Sequence, residues 1–559
     1  MYIKEQENSK NKNISHHANN SISHNPPAHI QTNPTPSSFE IAFDSNFGFG
    51  PTTPAPIGSG NLNAGAGTGC TPGTGPTPFL PPGTGVGPAP GIEPTPFLPP
   101  STNQQPSFGY IPPEISPNIT PPVIYTSHWT REDASKIRAS EENTFPPFDL
   151  KEIHPLLSNY NVWDNWFALD ESGRLATVLG FKILLALTYP IRNSGQMRER
   201  IAYFFTDDDH HYHFGGFLFH QPIYPGAREW SGSTIFRADG RLQTFYTLAK
   251  GVLKDNVFQS SQRFATATQM VTRVDNRLIC LPPMIHTIIA EPDGKFYETP
   301  LQSSMQENSY PDTHRLSIGS DQVDNFCFRD PKFYRDFKTN RVYLLFEANT
   351  GPNYCPAGQM RREYIGTDDF EPNLKPTDDE IKANGCIGIF QFTDSEYTSG
   401  HFLNPWLTAN LVTDEIERIN IIPYDGAIYL FATSHGNKCT LLTDKSDLKN
   451  RDYLLGFRAE SLFGKLRPLN DSGVILQQKS EGLEYAGQQQ NQQYVYSWLL
   501  IPTDNAKLFR CVCYAGFSTD AEGIVQPIRT AGPVVYIAIE GLQSRIVKLS
   551  YEIKPVPIV

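Results

Sequence analysis

Thr413-Asp414-Glu415-Ile416-Glu417-Arg418 runs straight into the apolar stretch Ile419 to Tyr429, and these two pieces read together set the fold class. The apolar stretch is rich in isoleucine and tyrosine and reads as strand. A polar, Trp-containing segment, Leu403 to Asn410, precedes the charged residues. On an extended backbone side chains alternate, so Glu415 and Glu417 would share one face while Asp414, Ile416 and Arg418 share the other. Two carboxylates on one face repel each other unless the fold has a use for them. A solvated charge run at a strand end is the competing reading, and the six residues alone do not separate the two.

Outward from this point, short apolar or alternating runs recur with turn residues between them. They fall at Thr177–Leu187, Ile201–Phe205, Phe214–His220, Arg341–Ala348, Cys386–Phe392, Ile428–Ala432, Val474–Gln477, Val495–Ile501, Leu508–Tyr514 and Pro533–Glu540. Helical periodicity is scarce, with turns expected only at Thr130–Arg138 and Asp378–Ala383. Many short strands at close spacing indicate an all-β sandwich, barrel or propeller. For so long a run without an obvious break, a propeller is the economical choice.

The first 125 residues read differently. Half of the chain's 48 prolines fall there, and no lysine or arginine lies between Lys12 and Arg131. Residues 1–40 are rich in Asn, Ser and His, and 41–125 in Gly, Pro and Thr. Within the second part, Pro76-Thr77-Pro78-Phe79-Leu80-Pro81-Pro82 returns as Pro94-Thr95-Pro96-Phe97-Leu98-Pro99-Pro100. Such composition cannot bury enough apolar surface to offset ordering entropy. A disordered arm over 1–125, acting as a tether or a ligand for a proline-reading partner, and a folded domain over 126–559 are expected.

A net charge of −12 argues against nucleic acid as a partner. No run reaches the ~20 apolar residues of a membrane span, and the polar start Met1-Tyr2-Ile3-Lys4 has no apolar segment of a secretory signal. The eight cysteines show no zinc spacing, and buried free thiols are the expectation for most of them. Cys511 and Cys513 would share a strand face, and Cys355 and Cys386 could pair only if the fold joins them. The run Asp207-Asp208-Asp209-His210-His211-Tyr212-His213 reads as a polar loop entering a strand, with a metal site as the lesser reading.

Besides the opening motif, two acidic segments stand out. One is Val162-Trp163-Asp164-Asn165-Trp166, a carboxylate between two indoles; the other is Arg329-Asp330-Pro331. Glu229-Trp230-Ser231-Gly232-Ser233 adds an aromatic face and a hydroxyl. Aromatic faces stack on sugar C–H groups, and converging carboxylates are what glycosidic chemistry needs. One ionised acid attacks the anomeric carbon and one protonated acid gives its proton to the leaving oxygen. Each segment alone has a bland reading, as a loop acid beside packing aromatics or a surface pair before a turn proline.

Taken in order, these segments resemble glycoside hydrolase family 68, the levansucrases, inulosucrases and related β-fructosyltransferases. His128-Trp129-Thr130-Arg131 resembles the family's entry segment. Tyr453-Leu454-Leu455-Gly456-Phe457, Arg467 to Gly473 and Tyr494-Val495-Tyr496-Ser497-Trp498 resemble its late strands. The resemblance implies a five-bladed β-propeller around a central funnel. It implies Asp164 as nucleophile, Glu417 as acid/base and Asp330 as transition-state stabiliser. Trp163, Trp230, Ser231, Arg329, Glu415 and Tyr496 match substrate-binding positions. Sucrose would be the donor; water, sucrose or a growing fructan would be the acceptor. It further implies an extracellular, monomeric enzyme.

His435, in Ser434-His435-Gly436, stands where one branch of the family has an arginine, and resembles the branch found largely in Gram-negative bacteria. Losing a guanidinium fork there weakens bidentate hydroxyl binding, which favours short products. No cofactor is expected. Asp324 and Asp414 fall where two ligands of the calcium of some members would be, but the segment Asn349–Arg362 differs and the site is not carried over. Two alternatives stay open: an invertase-like β-fructosidase, whose acid/base motif is typically Glu-Cys, and a non-catalytic carbohydrate-binding propeller, which would be expected to have lost an acid.

Overall fold

Strands buried on both faces need no alternation, so each shows in the sequence as a nearly continuous apolar run. In the computed structural model such runs are laid down as four-stranded antiparallel units, five times in succession. The structure describes residues 122–556 apart from 192–198, 255–256, 301, 304–325, 352–379, 381–382, 443–445, 483–489 and 506.

The first unit is Tyr160–Asp170, Lys182–Pro190, Arg200–Thr206 and His211–Phe217. The second is Arg228–Phe236, Arg241–Lys254, Val257–Val274 and Ile285–Ala290. The third is Phe328–Asp336, Arg341–Asn349, Gly385–Phe392 and Gly400–Thr408. The fourth is Glu417–Tyr424, Ala427–His435, Arg451–Ala459 and Val474–Lys479. The fifth is Val495–Pro502, Leu508–Ala515, Val534–Glu540 and Gln543–Ser550. Within each unit the hydrogen-bonded order follows the chain.

The first strands of successive units lie side by side, and that of the fifth meets that of the first. Between the first two units the contact becomes a parallel ladder, Ala168–Asp170 against Thr234–Phe236. These are the blades of a five-bladed β-propeller, with a ring of five inner strands around its axis. Near the C terminus, Lys554–Pro555 pairs with His211–Tyr212 on the outermost strand of the first blade and ties the last described strand to that blade. Apolar layers between the blades hold the ring, with Trp166, Trp406 and Trp498 fully buried in them.

Each inner strand carries one extra residue against its neighbour. The shifts lie between Val162 and Asn165, Trp230 and Gly232, Arg329 and Lys332, Glu417 and Asn420, and Tyr496 and Leu499. Three of these bulges place a non-glycine residue in the left-handed region: Asp330 at φ 58°, Arg418 at 56° and Ser497 at 62°. A bulge bends the strand and re-aims its side chains.

All ten runs predicted from the sequence contain strand, with ends displaced by a few residues. Leu403 to Asn410, read as a polar segment, belongs mostly to the strand Gly400–Thr408. The helix expected at Thr130–Arg138 is shorter, Arg131–Ser135, with Thr130 and Asp133 capping each other's backbone amides. Asp207–His213 is a loop entering a strand: Asp208 accepts from the backbone of His210 and His211 and from the His211 ring. Cys280, Cys327, Cys386, Cys439, Cys511 and Cys513 are buried free thiols. The repeat in the first 121 residues, Asp324, Cys355 and most of Asp378–Ala383 lie outside the described residues. No described helix is long and apolar enough to cross a membrane.

Candidate active site

The five bulges explain why the acids meet. Without them Trp163 and Asp164, or Arg329 and Asp330, would point to opposite faces of their strands. Asp164 sits in the first bulge, Ser231 in the second, Asp330 in the third, Glu417 at the edge of the fourth and Tyr496 at the edge of the fifth.

Ser231 joins two of the acids. Its hydroxyl is 3.2 Å from Asp164 Oδ2 and 2.5 Å from Asp330 Oδ1. The motif around it is built for close approach. A Cβ on Gly232 would stand 2.0 Å from the carbonyl oxygen of Phe245, and Ser233 bridges Pro331 O and the Phe333 amide. Asp330, in its left-handed backbone, donates its amide to Thr247 and accepts from the amide of Arg418 at 3.1 Å. The Arg418 guanidinium turns to the carbonyl of Asn165, beside Asp164.

Arg329 gathers the other acids. Its Nε donates to Glu347 Oε2 at 2.7 Å, and its Nη2 donates to Glu417 Oε1 at 2.8 Å and lies 3.7 Å from Glu415 Oε2. Tyr496 donates to Glu417 Oε2 at 2.7 Å. The ring of Tyr496 is stacked by His435, centroids 4.3 Å apart. His435 in turn meets Asp452 Oδ1 at 2.7 Å through Nδ1, and its backbone amide donates to Glu415.

The charge state follows from this crowding. Burial, then the neighbouring Glu415 carboxylate, push Glu417 up to about 7 against the pull of Arg329. Burial raises Asp330, with Asp164 adding to the effect and Arg418 opposing it. Burial also works to raise Glu415, but His435, Lys438 and Arg329 outweigh it and that carboxyl lies below its ordinary value. Two neighbouring acids therefore titrate apart, as a proton donor beside a fixed carboxylate requires. His435 is held up to about 10, with burial opposing and Asp452 and Glu415 favouring the cation.

The site residues expected from the sequence lie on the inner strands or at their flanks, except His435, which ends the second strand of the fourth blade. Trp163 is half-buried and meets Tyr189 edge to face at 4.5 Å; Trp230 is half-buried as well. Trp166, the second indole of its motif, is core instead, its Nε1 donating to Thr234. The alternation expected for Asp414–Arg418 does not hold throughout. The strand begins only at Glu417, Arg418 is left-handed, and Ile416 is wholly buried in the core. Glu415 and Glu417 nevertheless meet at Arg329, and Asp414 points elsewhere, to Lys438 Nζ at 3.8 Å. Asp324 and most of the segment Asn349–Arg362, where the other ligands of a calcium would be, lie outside the described residues. Glu347 and Asp452 were missed. Glu347 has no exposed surface, and burial pushes its carboxyl well above the ordinary value despite Arg329. An acid inside the apolar run Val342–Ala348 was the available signal.

The sequence profile described as Levansucrase/Invertase, glycoside hydrolase family 68, matches residues 121–551. The chain belongs to glycoside hydrolase family 68. Among its family-68 relatives, a levansucrase of Bacillus amyloliquefaciens is 29% identical over 76% of this chain and 89% of its own length. The levansucrase Lscbeta of Pseudomonas syringae pv. actinidiae is 26% identical over 62% of this chain and 77% of its own. A solved family-68 fold, the inulosucrase of Halalkalicoccus jeotgali bound to kestose, superposes with a TM-score of 0.60 at 26% identity, over 78% of this chain and all of that one.

Proposed function

We propose that the funnel transfers β-fructosyl groups from sucrose by a retaining double displacement. Membership of family 68 makes the chain a fructosyltransferase with sucrose as donor. In the first step Asp164 attacks the anomeric carbon of the fructosyl unit, and the bond to the glucosyl oxygen breaks. Glu417 gives that oxygen its proton and glucose leaves. In the second step an acceptor hydroxyl loses its proton to Glu417 and displaces Asp164. Water as acceptor gives hydrolysis, sucrose gives short oligosaccharides, and a growing chain gives fructan.

The observation that carries this reading is the division between the acids. Glu417 holds a proton to about pH 7, while Asp164 sits in the ring with Ser231 and Asp330 beside it. Asp330 stabilises the charge that develops on the fructosyl ring through its hydroxyls. Trp163, Trp230, Ser231, Arg329, Glu415 and Tyr496 bind the donor, and His435 serves the glucosyl or acceptor side, where a ring in place of a guanidinium fork favours short products. The enzyme acts outside the cell and as a monomer.

The experiment is incubation of the full chain with sucrose, following free glucose and free fructose separately. Glucose in excess over fructose is the expected result. Equal release identifies an invertase-like hydrolase, and folded protein that releases no glucose contradicts the reading altogether.

A further inference from the structure

His435, the last residue of the second strand of the fourth blade, and Asp452, near the start of the third, are cross-strand neighbours. Asp452 is 2% exposed. One of its oxygens meets His435 Nδ1 at 2.7 Å, and the other is buried with no hydrogen-bond partner among the described residues. A buried carboxylate held on one side only depends on that partner for its charge. An ionised carboxylate is acceptor-only, so Nδ1 carries a proton whenever Asp452 is charged.

The ring's other nitrogen is then left for a different task. His435 Nε2 stands 4.0 Å from Glu415 Oε1, too far for a direct hydrogen bond but wide enough for one oxygen to bridge the two. The ring plane is fixed by Tyr496, which lies parallel to within 14°. Facing the imidazole are Asp452 from the third strand, Glu415 and Glu417 from the start of the fourth blade, and Tyr496 from the fifth. Arg329 reaches the same acids from the third blade.

We propose that Asp452 is a positioning residue that locks His435 as a doubly protonated donor, whose Nε2–H meets a sugar hydroxyl shared with Glu415. The hydroxyl donates to Glu415 and accepts from His435, so the gap recognises an oxygen that can do both, which a sugar hydroxyl or water can. The sugar part of the assignment rests on the proposed function; the locking of the imidazole does not.

Two measurements separate those parts. In the full chain without sugar, NMR titration of labelled histidine rings, with His435 assigned by His435→Gln, should find this imidazole still protonated at pH 8. In Asp452→Asn its midpoint should fall by about three units or more, toward the ordinary value of ~6.5. With sucrose, KM between pH 5 and 7 should be flat for the parent protein and should rise with pH in Asp452→Asn. Asp452→Glu should restore the flat profile, and in a His435→Gln background Asp452→Asn should add no pH dependence. A His435 ring neutral at pH 7.5 in the parent protein overturns the proposal, even if the Asn variant does not fold. So does a pH-dependent KM that persists without the histidine. Failure of sucrose turnover alone would sink the proposed function and leave the titration standing.

Discussion

The hydroxyl of Ser231 lies 2.5 Å from Asp330 Oδ1 and 3.2 Å from Asp164 Oδ2, and it has one proton for two acids. It donates to the nearer, Asp330, which leaves Asp164 without that damping of its nucleophilicity. Ser231→Ala removes a hydrogen bond to a carboxylate worth about 1.5–3 kcal/mol. If that bond acts in the transition state, kcat/KM for sucrose should fall about tenfold to a hundredfold. Thermal unfolding should change little, because the backbone ladder on either side of the bulge is untouched. Steady-state glucose release and calorimetry on the same preparation check both halves.

The acid/base residue sets a pH dependence whose sign can be worked out. Glu417 must be protonated for the first step, so kcat/KM for sucrose should decline as pH rises through about 7. Glu415→Gln removes a negative neighbour that raises Glu417, so the descending limb should move to lower pH. Tyr496→Phe removes a donor that favours the ionised carboxylate, so the limb should move to higher pH. Shifts in the same direction would contradict the assignment.

Stability carries the same titration. Glu417 is raised when folded, so its favourable contribution is complete below its unfolded value near 4.5 and is lost as pH rises through about 7. Glu417→Gln should lose most turnover and should gain in melting temperature relative to the parent as pH goes from 5 to 8. Asp414→Asn should behave in the opposite way. It leaves the buried Lys438 facing a neutral partner, at a cost of a few kcal/mol, while the folded fraction should keep activity within a few-fold. Equal and mild effects from the two substitutions would contradict the separation of roles.

Glu347 touches Arg329 and not the reacting acids. Its removal in Glu347→Ala leaves the guanidinium to Glu417 and Glu415 alone and opens a buried gap. Denaturant unfolding should show a loss of about 3 kcal/mol or more. The limb assigned to Glu417 should also shift to lower pH, because Arg329 would then lean more fully on that carboxylate.

What could be read from the sequence was the chemistry at each position; what could not was the geometry between positions. Trp163-Asp164, Arg329-Asp330 and Glu417 are conspicuous because charged and aromatic residues interrupt apolar runs. The bulges that aim them are not conspicuous, since one extra residue in a strand leaves composition and length almost unchanged. Alternation therefore misplaced the backbone at Arg418, while it still separated Asp414 from Glu415 and Glu417. Asp452 escaped notice because it lies just before the segment Tyr453–Phe457, and only the register with His435 gives the acid its partner. Trp166 was grouped with Trp163 by symmetry about Asp164, but three residues across a bulge put it in the core.

The account rests on Asp164 becoming the covalent carrier of the fructosyl unit. A rapid acid quench during the first turnover on sucrose, followed by peptide mass spectrometry, tests this directly. The peptide containing Val162-Trp163-Asp164 should carry one fructosyl unit on Asp164, appearing as glucose is released and absent in Asp164→Asn. Glucose release with Asp164 unmodified, or with the fructosyl unit on Asp330 or Glu417, would contradict it.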